Sequence, residues 1–380
     1  MHPMVKPALK RAWRERQSVQ FGVTPAHAVT VGPVDTATGT LLELFDGTRG
    51  LPLLRQEARA IGLPEGQVDA LVKRLTAAGL LDDPTGGGPA AEALRKRTGA
   101  FDRLRPDLAS LSVIDPEPGG GIRRLAARRA MHVHVRGAGR VGATVASLLS
   151  ASGVGRVEVL DGGCAEPWDV APGGLPAEAI GHRREAAARQ LVRRTSPDRP
   201  PRATESRTAP GTGEPGLSLV VVTPRDGLAA YAPDPAGATD WIAGGTPHIY
   251  AGVVEATGVV GPLVLPGGTA CASCLELDGV ERDPGRARLL AQWRSGPRAL
   301  PACDVALATA VAGMTAAHAL SFLDGELPAS TGARWEVSLP LLEWRSETFT
   351  PHLHCACGAR GKSEARHTAE FGSPHETMAG

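Results

Sequence analysis

From residue 131 to 223 apolar and polar positions change period in blocks that read strand, helix, strand, helix, strand: "MHVHV", "VGATVASLLSAS", "RVEVLD", "GHRREAAARQLVRR" and "LSLVVVT". Short β-like runs alternating with helical stretches predict a parallel sheet with helices on its faces. The upstream pattern differs. Two β-like runs, "SVQFGV" (18–23) and "HAVTVG" (27–32), precede three helical stretches. In "TATGTLLELFDG" Leu41, Leu42, Leu44 and Phe45 share a side and Gly47 is a stop; "LPLLRQEARAIG" is the second. The third runs from Pro64, suited to a first helical turn, to Gly79, with Val68, Leu71, Val72 and Leu75 at helical spacing. Residues 1–100 therefore predict a small α+β domain with a winged-helix outline. "DPTGGGPAAEA" (83–93) and "IDPEPGGG" (114–121) are turn-rich, so 101–130 is expected to be a connector and 131–360 a second domain. The stretch 202–216 is weakly patterned, with room for a poor edge strand. The tail, 361–380, is polar and expected to be disordered.

The most apolar run, "VALATAVAGMTAAHALSFL" at 305–323, is dominated by alanine and carries His318. A buried small-residue helix is the expectation there, not a membrane span. The 380 residues suffice for two or three domains. Lys plus Arg number 41 against 40 Asp plus Glu, so no global field favours nucleic acid or an anionic membrane. The start, "MHPMVKPALKRAWRERQ", is positive but lacks the apolar stretch of a signal peptide, which points to a cytoplasmic protein with reduced cysteines.

Two constellations carry chemistry. Gly137, Gly139 and Gly142 fit G-x-G-x-x-G: the first permits a tight turn, the second a close backbone approach to phosphate, and the third close helix-to-strand packing. A helix beginning near Arg140 would point unpaired amides at an anion, and Asp161, at the end of the next strand, can accept from ribose hydroxyls. The plainer alternative is a Rossmann-like βαβ unit whose glycines serve packing alone. Of the six cysteines, Cys271 and Cys274 in "CASC" and Cys355 and Cys357 in "HLHCACGAR" form two close pairs, as a closed tetrahedral zinc site requires. The tighter second spacing makes His352 or His354 an alternative ligand; a redox pair or plain buried thiols are the other readings. Cys164 and Cys303 are single and expected as small buried hydrophobes, Cys303 being the one to test for thiol reactivity.

Taken in order, "VRGAGRVGATVASLLSASGVGRVEVLDGG", "IGHRREAAARQLVRR", "LSLVVVT", "GVVGPLVLPGGTACASCLEL" and "HCACGA" resemble the ThiF/MoeB family, the fold of ubiquitin-activating enzymes, over about 131–360. The resemblance implies ATP with magnesium at the glycine turn, Asp161 on the ribose, and adenylation of a peptide's C-terminal carboxylate. It also suggests a homodimer. Several positions depart from the family pattern. "GGCAEPWDVAPGG" stands where active members carry an Asn and an Arg for the phosphates. Arg183 or Arg184 replaces a lysine, and in "TPRDGLAAY" Asp226 is displaced by one position from the magnesium-positioning Asp. A pyrophosphate leaving group needs such cations, so a non-adenylating member is expected, with no catalytic residue assigned.

The N-terminal strings "VQFGVTPAHAVTVG", "TLLELFDGTRG" and "VDALVKRLTAAGLLDD" resemble the leader-peptide clamp of proteins that accompany thiazole/oxazole-forming cyclodehydratases in bacteriocin biosynthesis, over 18–83. That resemblance implies a ribosomal precursor peptide as ligand and a YcaO-type enzyme as partner. The peptide would add as a strand at a sheet edge, with 18–32 as the candidate. A DNA-binding winged helix is disfavoured because 64–79 and its flanks lack a basic recognition surface. The leading expectation is thus a peptide-presenting scaffold. The alternative is an ATP-dependent adenylyltransferase using Asp226, Arg183 and Arg184. A nicotinamide-dependent dehydrogenase shares the glycine turn and Asp161 but lacks a His or Lys constellation and leaves the cysteine pairs without purpose.

Overall fold

The computed structural model describes residues 1–198, 216–296 and 300–359. The tail at 361–380 and nearly all of the weakly patterned stretch at 202–216 lie outside the described residues. The chain divides into two compact units, one of residues Met1–Ala130 and one beginning at Met131.

The first unit opens with β1 (Met4–Val5), β2 (Arg11–Glu15), β3 (Ser18–Phe21) and β4 (Val29–Val31), followed by α1 (Thr36–Glu43), α2 (Leu51–Ala60), α3 (Gln67–Ala77) and β5 (Leu81–Asp82). Strands β2, β3 and β4 form an antiparallel sheet in that order, and β5 returns to pair with β1. Asp35 caps α1 by accepting from Thr38 N at 2.7 Å, satisfying an amide that the helix itself cannot. The apolar faces of these elements meet in a core that includes Phe21, Val31, Leu41, Phe45, Leu54, Leu71 and Leu75. Helix α3 starts later than its Pro64 signal, because Gly66 takes a left-handed conformation (φ 83) immediately before it.

Residues 88–127, most of them expected as a connector, are helical instead. They form α4 (Gly88–Arg95), α5 (Thr98–Arg103), α6 (Arg105–Ile114) and α7 (Gly120–Ala127), with a core of Ala91, Leu94, Leu104, Leu111, Ile122, Leu125 and Ala126. The glycine strings that suggested a linker mark helix starts: Gly87 (φ 87) precedes α4 and Gly119 (φ 77) precedes α7. Buried polar contacts tie this helical cluster to the strands. Lys6 Nζ donates to Asp115 O at 2.7 Å, and the Asp82 carboxylate accepts from Gly119 N at 2.8 Å and from the Ser112 hydroxyl.

The second unit runs β6 (His132–Arg136), α8 (Arg140–Ala151), β7 (Arg156–Leu160), α9 (Arg184–Thr195), β8 (Leu219–Val222), α10 (Leu228–Tyr231), α11 (Thr239–Ala243), β9 (His248–Val254), β10 (Thr257–Val264), α12 (Ala272–Arg282), α13 (Arg286–Ser295), α14 (Val305–Leu323), β11 (Ala333–Ser338) and β12 (Trp344–Thr348). Its seven-stranded sheet has the order β12-β11-β10-β9-β8-β6-β7. Strands β7, β6, β8 and β9 are parallel, whereas β9 to β12 form an antiparallel meander, so the expected parallel sheet is mixed. Glu255 (φ 48) and Ala256 (φ 58) turn β9 into β10. Two successive positive φ values suit a hairpin, but neither residue is the Gly or Asn that announces one in sequence. Helices α8 and α14 pack together over the sheet. Ala308, Val311, Ala312, Ala316 and Ala319 of α14 enter the same core as Val133, Val135, Val221 and Val260. By length and composition α14 is apolar enough to cross a membrane; its small buried residues serve close packing on α8 and the sheet.

Candidate functional site

The glycine turn lies between β6 and α8, at the carboxyl ends of the parallel strands where α/β sheets place ligands. Gly137 has φ 113, and a Cβ there would fall 2.0 Å from Thr223 O. A Cβ on Gly142 would fall 2.0 Å from Gly137 O and 2.3 Å from Thr223 Oγ1. Backbone packing alone therefore requires both. Gly139 is different: the nearest atom to an added Cβ is Arg225 Cγ, at 3.1 Å, a flexible side chain lying over the turn.

Arg225 is anchored on that spot by acids from the loop after β7. Its Nε donates to Asp169 Oδ1 at 2.9 Å and its Nη2 to Glu166. Burial works against the Arg225 charge, but these bonds outweigh it and hold the guanidinium above its ordinary pKa. Asp169, 3 % exposed, also receives Glu166 N at 2.9 Å and faces Arg184 Nη1 at 3.6 Å. Arg184 in turn donates through Nε to Asp161 Oδ1 at 2.8 Å and to the carbonyls of Gly162 and Cys164. The other Asp161 oxygen accepts Ala138 N at 2.6 Å, which straps the glycine turn to the end of β7. Across the cleft Arg140 Nη1 donates to Cys303 O at 2.6 Å. Three carboxylates and three guanidinium groups are thus committed to one another or to carbonyls. What remains open, between Gly139, Arg140, Trp168, Thr223 and Cys303, is a cleft of about 40 Å³, room for a few waters.

The residues named from sequence divide accordingly. Asp161 and Arg184 meet, as partners of each other. Arg183 is exposed, and Asp226 is exposed with only a 3.5 Å approach from Ala229 N; the network includes neither. Glu166, Asp169 and Arg225 were missed. Their only sequence signal was charge inside strings noted for lacking other residues. Cys303 lines the cleft, and burial pushes its thiol pKa up, the opposite of nucleophile activation. Cys164, expected to be buried, is exposed.

The four paired cysteines do converge. Cys271 caps α12, Cys274 lies in its first turn, and Cys355 and Cys357 come after β12. Sγ separations are 3.8 Å for Cys271–Cys274, 3.6 Å for Cys271–Cys355 and 3.6 Å for Cys274–Cys357. A tetrahedral ion with bonds of about 2.3 Å to sulfur sets its ligands about 3.8 Å apart, so this set can hold a metal ion. The Cys271 thiol is drawn down to about 4 by its hydrogen bond with Cys274, while burial and neighbouring sulfur push Cys355 up to about 11. The histidine alternatives stand apart from this quartet: His352 Nε2 faces Glu281 Oε1 at 3.0 Å, and His354 is exposed.

The ThiF family model matches residues 116–359, more than half of the chain. The chain belongs to the ThiF family. No curated protein matches this ThiF chain. Among solved structures, E. coli MccB with ATP is similar at 16% identity and a TM-score of 0.67, over 94% of this chain and 99% of that one. E. coli MccB with AMPCPP and the peptide MccA gives 14% and 0.66, over 94% of this chain and all of that one. PaaA gives 15% and 0.63, over 90% and 99% respectively. At such identities these neighbours establish the fold of the ThiF chain and leave its chemistry to its own residues.

Proposed function

We propose that the protein binds a ribosomal precursor peptide and presents it to a modifying enzyme of the YcaO cyclodehydratase type, without adenylating it. The observation that carries this reading is Arg225 seated over Gly139 and pinned by Glu166 and Asp169. A triphosphate reaching the α8 amides would have to displace that side chain and strand Asp169, a carboxylate 3 % exposed. Arg225 is itself 25% exposed and Asp169 keeps Glu166 N and Arg184, so the displacement costs about 2 kcal/mol, and nucleotide binding starts from that deficit. MccB has been crystallised with both ATP and its peptide MccA, which supports peptide recognition as a property of this fold.

On this reading the first unit is the winged-helix clamp. Within the candidate edge at 18–32, β3 is paired on both sides, which leaves β4 with a free edge among the described residues. Arg74 of α3 donates to Pro33 O at 3.4 Å, so α3 flanks the end of β4, beside the edge where a strand would add. The cysteine quartet holds zinc, closed and structural, fixing the segment after β12 to α12. The alternative, an adenylyltransferase, is favoured by the intact glycine turn at the α8 N-terminus and by Asp226 and Arg183, both exposed and open to magnesium and phosphate.

Synthetic candidate precursor peptides test the proposal. Hydrogen exchange with such a peptide is expected to protect the amides of 29–32 and leave 137–142 unchanged. Magnesium-dependent exchange between ATP and pyrophosphate at an enzyme-like rate would overturn it in favour of the adenylyltransferase.

A further inference from the structure

His132 and His134 alternate along β6 and so share one face of the sheet; Glu158 lies opposite His134 in the parallel pairing of β6 with β7. The three side chains converge on a single atom. His132 Nε2 and His134 Nε2 approach the same oxygen, Glu158 Oε2, at 3.5 and 3.1 Å, and the two rings meet edge to face with centroids 4.6 Å apart. Both Nε2 atoms are buried without a hydrogen bond, and His132 is only 5 % exposed. Buried polar atoms left in that state are uncommon enough to need a cause.

We propose that His132, His134 and Glu158 form a second metal site, separate from the cysteines, that takes a borderline divalent first-row cation such as Zn²⁺. Two imidazoles with one carboxylate is the donor set that such ions prefer over Mg²⁺ or Ca²⁺. The distances fit. Bonds of about 2.0–2.1 Å place two ligands of a tetrahedral ion about 3.3 Å apart, and the observed 3.1 and 3.5 Å bracket that value. All three ligand atoms lie within 4.8 Å of one another, so the widest gap closes to tetrahedral spacing with a shift of at most about 1.5 Å. Arg156 Nε holds the other carboxylate oxygen, Glu158 Oε1, at 2.8 Å and thereby aims Oε2 at the histidines, as outer partners orient metal-binding carboxylates. Three protein ligands leave a coordination position open, unlike the closed cysteine set, and the ion would pin the edge strand β7 to β6.

The test uses the full chain, stripped with a chelator and titrated with Zn²⁺, bound metal being counted by mass spectrometry, and in parallel with Co²⁺, whose spectrum distinguishes thiolate from nitrogen and oxygen ligands. The wild type is expected to bind two equivalents, the second without sulfur-to-cobalt charge transfer. Glu158→Gln and His134→Ala, both at partly exposed positions, are expected to bind one equivalent each, with an unchanged circular-dichroism spectrum and the thiolate bands intact. Because the cysteines are untouched, this readout separates the second site from the first. A wild type that saturates at one equivalent with thiolate bands alone would overturn the proposal, as would variants that still bind two.

Discussion

Arg225 and the three glycines of the turn separate packing from ligand binding one residue at a time. A Cβ on Gly142 collides with backbone at 2.0 Å, which no rotamer relieves, whereas a Cβ on Gly139 meets only the stem of Arg225 at 3.1 Å. Overpacking typically costs about 1–3 kcal/mol and more against immovable backbone, so Gly142→Ala is expected to lose at least about 3 kcal/mol of unfolding free energy and Gly139→Ala less than about 1 kcal/mol, both read from urea unfolding. In a working phosphate cradle Gly139 would be the sensitive position for activity; here its replacement should be nearly silent in every assay. The ion network gives a second contrast. Arg225→Ala strands Asp169, which retains Glu166 N and a 3.6 Å neighbour in Arg184, and an intermediate loss of about 2 kcal/mol is expected. Glu166→Gln removes a partner that is 42% exposed, so chemical denaturation should detect less than about 1 kcal/mol.

At the scale of elements, period and punctuation made much of the fold readable. The blocks at 131–160 became β6, α8 and β7, and the alanine-rich run at 305–323 became α14 with the same limits. What escaped had physical reasons. The five residues of β2 are all exposed and show no alternation of burial, and the β9–β10 turn uses Glu255 and Ala256 at positive φ. The helices at 88–127 are short and begin at glycines that also read as linker. In the site, local geometry was legible and long-range pairing was not: the glycine turn and the CASC string are contiguous, but Arg225 lies 56 residues from Asp169 and 59 from Glu166. The cysteine quartet is an element-scale device, since it joins α12 to the segment beyond β12 around a satellite core with Tyr250, Val264 and Ala270. Cys271→Ser with Cys355→Ser is expected to cost one equivalent of zinc, and this loss, like chelation of the wild type, to lower the melting temperature by several degrees, because a folded-state ligand stabilises by mass action. Calorimetry with metal analysis checks both; an unchanged melting temperature after complete metal loss would mean that the thiols pack without an ion.

For the whole molecule, the boundary that matters is not the one the family match draws. ThiF similarity begins at residue 116, yet the first compact unit runs to Ala130. Helix α7 lies inside that difference. It contributes Ile122, Leu125 and Ala126 to the core shared with Leu94, Leu104 and Leu111, and Arg124 of the same helix donates through Nε to Asp115 Oδ2 at 2.7 Å. Asp115 also receives Lys6 through its carbonyl, and Lys6 is 1 % exposed, so the first strands and the last helix of the unit depend on the same turn. A fragment ending at residue 115 keeps the strands and α1 to α3 but loses three apolar side chains from the small core, together with the carboxylate's partner. Burial of one such large side chain is worth about 1.5–3 kcal/mol, so Ile122 and Leu125 alone represent much of a domain's net stability. Residues 1–130 expressed alone are therefore expected to unfold in one cooperative transition and, on the peptide-binding reading, to keep the precursor peptide's affinity. Residues 1–115 should show a shallow transition or none, with exposed apolar surface that binds a hydrophobic dye. If the shorter fragment melted as cooperatively as the longer one, α7 would be dispensable to the first unit, and peptide binding would have to be sought in the strands and first three helices alone.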